Sequence, residues 1–174
     1  MRPTSESVIA RTADDGPLVI CYDGSKHAAQ AIDFTGSLVP GASALVVTVW
    51  TPILQALTAV TLGPAPPISD PVEADAAQRR TAEQIARDGA RRATAAGLQA
   101  EALAVRASGR VWEAIERTAR EHEGLLIVCG ARRSGALSAV VDNVSGALVH
   151  NAARPVLVVP SSQAISERLR DPVE

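Results

Sequence analysis

Aromatic side chains are nearly missing: one Phe, one Tyr and two Trp make up 2% of 174 residues. A core built from this chain must therefore be packed from Ala, Val, Leu and Ile, within a total hydrophobic content of 47%. There are two cysteines, Cys21 and Cys129, too few for the disulfide framework of a small secreted domain. Lys26 is the sole lysine and the formal net charge is -2, which leaves no electrostatic footprint for nucleic acid or an anionic membrane. The three histidines, His27, His122 and His150, match no metal-ligand spacing. No apolar run approaches the roughly 18–20 residues that span a bilayer. The first residues (MRPTSESVIARTADDG) carry acids and no apolar stretch, so no secretory signal is read there and a cytoplasmic location is expected. The Ala/Arg richness is the bias of a GC-rich bacterial genome and carries no functional information.

What is present is an alternation of short apolar runs and helical patterns. The length fits one domain with a single substantial core, expected over residues 17–160, with an extension at 1–16 and a polar tail at 161–174. Pro17–Asp23 (PLVICYD) and Ala44–Trp50 (ALVVTVW) read as fully buried strands. Between them Ser25 is placed to cap a helix through Ala28, Ala31, Ile32, Thr35 and Leu38, ended by Pro40-Gly41. Residues 51–72 are apolar but broken by five prolines, a long ordered loop. Glu73–Ala96 is the longest helix, closed by Gly97; Ala100–Val105 is a strand, and a helix follows through Val111, Ile115 and Ala119. Leu125–Cys129 and Pro155–Val159 are two more strands around a Ser138–Asn151 helix. Buried strands joined by helical crossovers require a doubly wound parallel sheet with helices on both faces. With the order 3-2-1-4-5, the switch point where such sheets bind ligands lies between the loops after Asp23 and after Cys129.

The second of these loops stands out. Leu125–Pro160 (LLIVCGARRSGALSAVVDNVSGALVHNAARPVLVVP) runs from a buried strand through a Gly/Ser/Arg-rich loop into a helix. Backbone N–H groups and the helix dipole at such a junction favour phosphate. Asp142 and Asn143 occupy positions where a phosphate loop prefers glycine and a hydroxyl.

CYDGS, TVW-TP, GRVWEAI and the GAR…VS…LVHNAARPVLVVP end together resemble the universal stress protein family over nearly all of residues 17–160. The resemblance implies the five-stranded adenine nucleotide alpha hydrolase-like fold, and usually a dimer. Its members divide into ATP-binding and non-binding groups. The binding group carries Gly-x2-Gly-x9-Gly-Ser/Thr. Gly130 matches the first glycine, the second has no counterpart in GARRSG, and Asp142-Asn143 replaces the terminal pair before Val144 and Ser145. By the same resemblance Asp23 faces the nucleoside end, the Val49 backbone meets adenine, and Cys21 and Cys129 line the pocket. Arg132 and Arg133 are placed to offset the Asp142 charge, while Asn143 retains an amide donor. Beside a triphosphate, Asp142 costs on the order of 1 kcal/mol or more. Weak or absent ATP binding is therefore expected.

No catalytic constellation appears: there is no Gly-x-Ser-x-Gly elbow, no His-Glu-x-x-His and no complete P-loop. The expectation is a cytoplasmic stress-response module acting through dimerisation and protein partners, with no enzymatic activity. The alternative is an ATP-binding member with slow hydrolysis. Asp23 reads equally as a ligand residue and as a turn cap. Cys21 and Cys129 read first as small core residues, with a redox pair as a further alternative because both end adjacent strands. Trp50 and Trp112 read as packing residues, and Arg79-Arg80 and Arg91-Arg92 as a solvated helix face. The Pro155, Val156, Leu157, Val158 and Val159 edge strand is apolar on both faces. Left unpaired it invites association, and a homodimer through antiparallel pairing of this strand is expected, as the resemblance also implies.

Overall fold

A computed structural model of the chain describes residues 16–53, 70–131 and 144–160. The terminal segments, the proline-broken loop at 54–69 and the loop at 132–143 lie outside the described residues. Strands and helices alternate: β1 (Leu18–Cys21), α1 (Lys26–Leu38), β2 (Ser43–Trp50), α2 (Pro71–Ala95), β3 (Gln99–Arg106), α3 (Val111–Glu121), β4 (Leu126–Gly130), α4 (Val144–Asn151) and β5 (Val156–Val159). Every pairing is parallel and the order is β3-β2-β1-β4-β5. The doubly wound sheet expected from the alternation is the one observed.

Successive strand residues point to opposite faces, so the apolar runs serve two layers. On one face Leu18, Ile20, Val46, Val128 and Val159 meet Ala31 and Ile32 of α1 and Ala90 and Ala93 of α2. On the other, Val19, Leu45, Val47, Ile127 and Cys129 meet Ile115 and Ala119 of α3 and Leu148 of α4. With so few aromatics, these layers close by near approach at small residues. A methyl on Gly89 would sit 2.5 Å from the Tyr22 ring, and one on Gly36 only 2.3 Å from the Ala96 carbonyl oxygen.

Helix ends follow local chemistry. Ser25 Oγ accepts from Ala28 N at 3.2 Å and caps α1. α2 begins earlier than the Glu73 expected from periodicity, because Asp70 Oδ1 accepts from Val72 N and Glu73 N with Pro71 in the first turn. Gly97, at φ +95, closes it. β3 exceeds the expected Ala100–Val105 by a polar residue at each end, since backbone pairing to β2 extends from Gln99 to Arg106.

The arginines of α2 are more than a solvated face. Arg79 pairs with Glu83 and Arg80 with Glu73 along the helix, but Arg92 crosses to Asp33 of α1 with Nε donating to Oδ1 at 2.8 Å. Both side chains of that cross-helix pair are close to half exposed, which limits its worth to about 1 kcal/mol or less. Trp50, read as a packing residue, is half-buried and carries the Arg106 guanidinium 5.9 Å from its ring centroid.

Candidate functional site

The carboxyl ends of β1, β2 and β4 meet at the switch point. Cys21, Val49 and Val144 pack on the layer that contains Cys129, together with Val111 and Trp112 of α3. Four of the expected site residues thus pack on one apolar layer, a wall shared with Trp112. Trp112, read from the sequence as a packing residue, does pack there; the GRVWEAI run places it at the first turn of α3.

The rim of this wall is polar. Asp23 is exposed, and its Oδ1 accepts from Ser25 N at 3.0 Å. The turn-capping reading of Asp23 is therefore realised in the structure. Thr48 Oγ1 donates to Tyr22 O at 2.8 Å and Tyr22 N donates to Val47 O at 2.9 Å, holding the chain beyond β1 against β2. Ser145 is half-buried in the first turn of α4. Arg132 and Asn143 lie outside the described residues.

Gly130 has a role that sequence reasoning missed. A methyl there would stand 2.4 Å from His27 O and 2.9 Å from Ala28 N, so the first turn of α1 rests directly on it. Its φ is not in the left-handed region. The residue is small because two backbones touch, a long-range fact with no local sequence signal.

The two thiols are strongly perturbed. Burial pushes Cys129 up to about 11. Burial raises Cys21 further, and the neighbouring Cys129 and the Asp23 charge add to the same direction. Both are protonated at neutral pH. Among the described residues no group of three or more His, Cys, Asp or Glu could hold a metal ion, and no helix is long and apolar enough to cross a membrane. An apolar wall with a polar rim suits a flat ring bearing a polar tail.

A family model described as the universal stress protein family matches residues 16–160. The chain belongs to the universal stress protein family. Among solved structures, a universal stress protein family member from Burkholderia pseudomallei is 24% identical and aligns over 84% of this chain and 97% of its own, with a TM-score of 0.61. A universal stress protein in complex with cAMP is 19% identical over 83% and 96% of the two chains, at a TM-score of 0.59. One from Archaeoglobus fulgidus in complex with dAMP is 17% identical over 83% and 97%, at 0.55. At these identities the structural likeness establishes the shared fold. No curated protein sequence matches the chain. The order β3-β2-β1-β4-β5 is thus a universal stress protein sheet, and the wall of Cys21, Val49, Cys129 and Val144 occupies its switch point.

Proposed function

We propose that this universal stress protein is a non-catalytic regulatory module that binds ATP weakly at most and acts as a homodimer through protein partners. The apolar wall of Val49, Cys21, Cys129 and Val144 fits an adenine ring, and similar proteins have been solved with cAMP and dAMP. The phosphate end carries the reading: Asp142-Asn143 stands where the nucleotide-binding members have Gly-Ser, and the second loop glycine is missing. An aspartate near a triphosphate opposes binding by on the order of 1 kcal/mol or more.

The dimer rests on β5. Its outer edge has no strand partner among the described residues. Val156 and Val158 pack on one layer and Leu157 and Val159 on the other, so both faces of this edge are apolar. Phe34 (45% exposed) and Leu38 (56%) lie one turn apart on α1, on the flank away from the Asp33–Arg92 contact with α2 and so toward β5. Val149 (55%) is exposed on α4, which covers β5 from the opposite face. Phe34 and Leu38 thus add exposed apolar surface on the β5 flank of α1, and Val149 adds it on the helix over the other face. A second copy placed antiparallel along β5 would close as a two-fold pair.

Calorimetric titration with ATP and Mg²⁺, after checking whether purified protein carries nucleotide, tests the site. Binding weaker than micromolar is expected, strengthened in Asp142→Gly/Asn143→Ser. Micromolar binding by the wild type would favour the ATP-binding reading instead, and measurable turnover above background would overturn the non-catalytic one.

A further inference from the structure

The β1–β4 ladder pairs Leu18 with Leu126, Val19 with Ile127 and Ile20 with Val128. The next step of that register sets Cys21 opposite Cys129, at the centre of the sheet rather than at an edge. Both side chains belong to the same layer, so the two thiols stand side by side across neighbouring parallel strands. They are the only two cysteines of the chain. Cys129 is 4% exposed and Cys21 is half-buried at the strand end, so the pair lies where the strands open toward the site.

Three observations decide what such a pair can hold. Same-face neighbours on adjacent strands hold their Cβ atoms roughly 4.5–5.5 Å apart, whereas a disulfide draws its Cβ atoms to roughly 3.5–4.5 Å. A direct S–S bond would have to pinch β1 against β4 in the middle of the sheet, but a bridge with one atom between the sulfurs needs no such movement. The surroundings are apolar and the Asp23 carboxylate lies close by, so both thiols are held protonated. A product that leaves thiolate charge behind, such as a two-coordinate complex of a monovalent cation like copper(I), is therefore disfavoured, whereas an uncharged one is not. Finally, the described residues offer no third ligand, which removes the tetrahedral sites of zinc.

We propose that Cys21 and Cys129 form a dithiol site for a trivalent arsenical, which bridges the two sulfurs as an uncharged adduct. For an organoarsenic(III) oxide the step balances without redox change. Two As–S bonds form as the bonds from arsenic to its oxygen break. Both thiol protons leave with that oxygen as water, and arsenic stays trivalent. One thiol forms the first bond and the other closes the ring within the same molecule, where the effective concentration of the second thiol is high. The inference rests on the β1–β4 register and is independent of nucleotide binding.

The test uses the full chain and phenylarsine oxide. Intact mass should show one phenylarsenic group replacing two thiol hydrogens per chain. The adduct should survive excess 2-mercaptoethanol and be removed by 2,3-dimercaptopropanol. Cys21→Ser and Cys129→Ser each leave a single thiol, and 2-mercaptoethanol should strip their adducts about a hundredfold faster or more. Should either variant fail to fold, peptide mapping of the wild-type adduct must still join the Cys21 and Cys129 peptides. With hydroperoxide and no arsenical, the wild type should retain two titratable thiols. An adduct lost to 2-mercaptoethanol as fast as from the single variants, or ready formation of a Cys21–Cys129 disulfide, would overturn the proposal.

Discussion

Replacing Gly130 by alanine separates two roles that the family resemblance merges. As the first glycine of a phosphate loop, its loss would weaken a ligand and leave the fold intact. The structure places the new methyl 2.4 Å from His27 O, 2.6 Å from His27 C and 2.9 Å from Ala28 N. All three are backbone atoms of the first turn of α1, which Ser25 pins from the other side, so no flexible side chain can yield. Overpacking of this kind costs about 1–3 kcal/mol, and the upper half of that range is expected where backbone must move. For a chain of this size, 2–3 kcal/mol lowers Tm by roughly 4–12 °C. Gly41→Ala is the internal comparison. Its φ is +82 but nothing lies within 4 Å of the added methyl, leaving only the left-handed strain of about 1–2 kcal/mol. Circular dichroism melts and urea titrations of both variants, without ligand, are the assay. A Gly130→Ala protein as stable as the wild type would refute the packing argument and return Gly130 to the ligand.

Ser25→Ala removes the acceptor for Ala28 N and should destabilise the protein by about 1 kcal/mol in the same urea titrations. Light scattering at micromolar concentration should give a dimer mass for the wild type. Phe34→Glu with Val149→Glu should shift it to monomer with little change in the melt, since both positions are exposed; a dimer indifferent to that pair would move the interface elsewhere. Stability should fall as pH rises from 9.0 to about 11, because unfolded Cys129 loses a proton across that window while the native thiol keeps it. Cys129→Val should lessen that slope and leave the share of Cys21, whose thiol burial also raises, and an unchanged slope would mean that Cys129 plays no part in it.

The strands were legible because each is a short continuous apolar run, and only a sheet covered on both faces accepts such runs; the runs do not fix the order, since doubly wound sheets occur with more than one. Ser25 and Gly97 were legible for similarly local reasons. Two boundaries were not. Pro71 reads as a loop breaker until Asp70 is seen beneath the first turn of α2, and Gln99 and Arg106 join β3 through backbone pairing to which side-chain polarity is blind. The site divides in the same way. Val49, Cys21 and Cys129 were named through the family resemblance, whereas the contact of Gly130 with α1 and the salt bridge from Arg92 to Asp33 bring together residues 103 and 59 positions apart. Nothing near either residue in the sequence announces its partner.

The sheet is lopsided: β2 and β3 run eight residues each, while β5 has four and is followed on its open side by no other described strand. Amide hydrogen exchange should record that asymmetry. The β2–β3 side, with its longer ladder, should exchange only near global unfolding, and the β5–α4 corner should open at a lower free energy. That corner carries Val144 and Ser145 of the candidate site together with the edge proposed for pairing. A single local opening there would dismantle the apolar wall and that proposed surface together, so a second chain docked on β5 would slow exchange at the start of α4 without touching it.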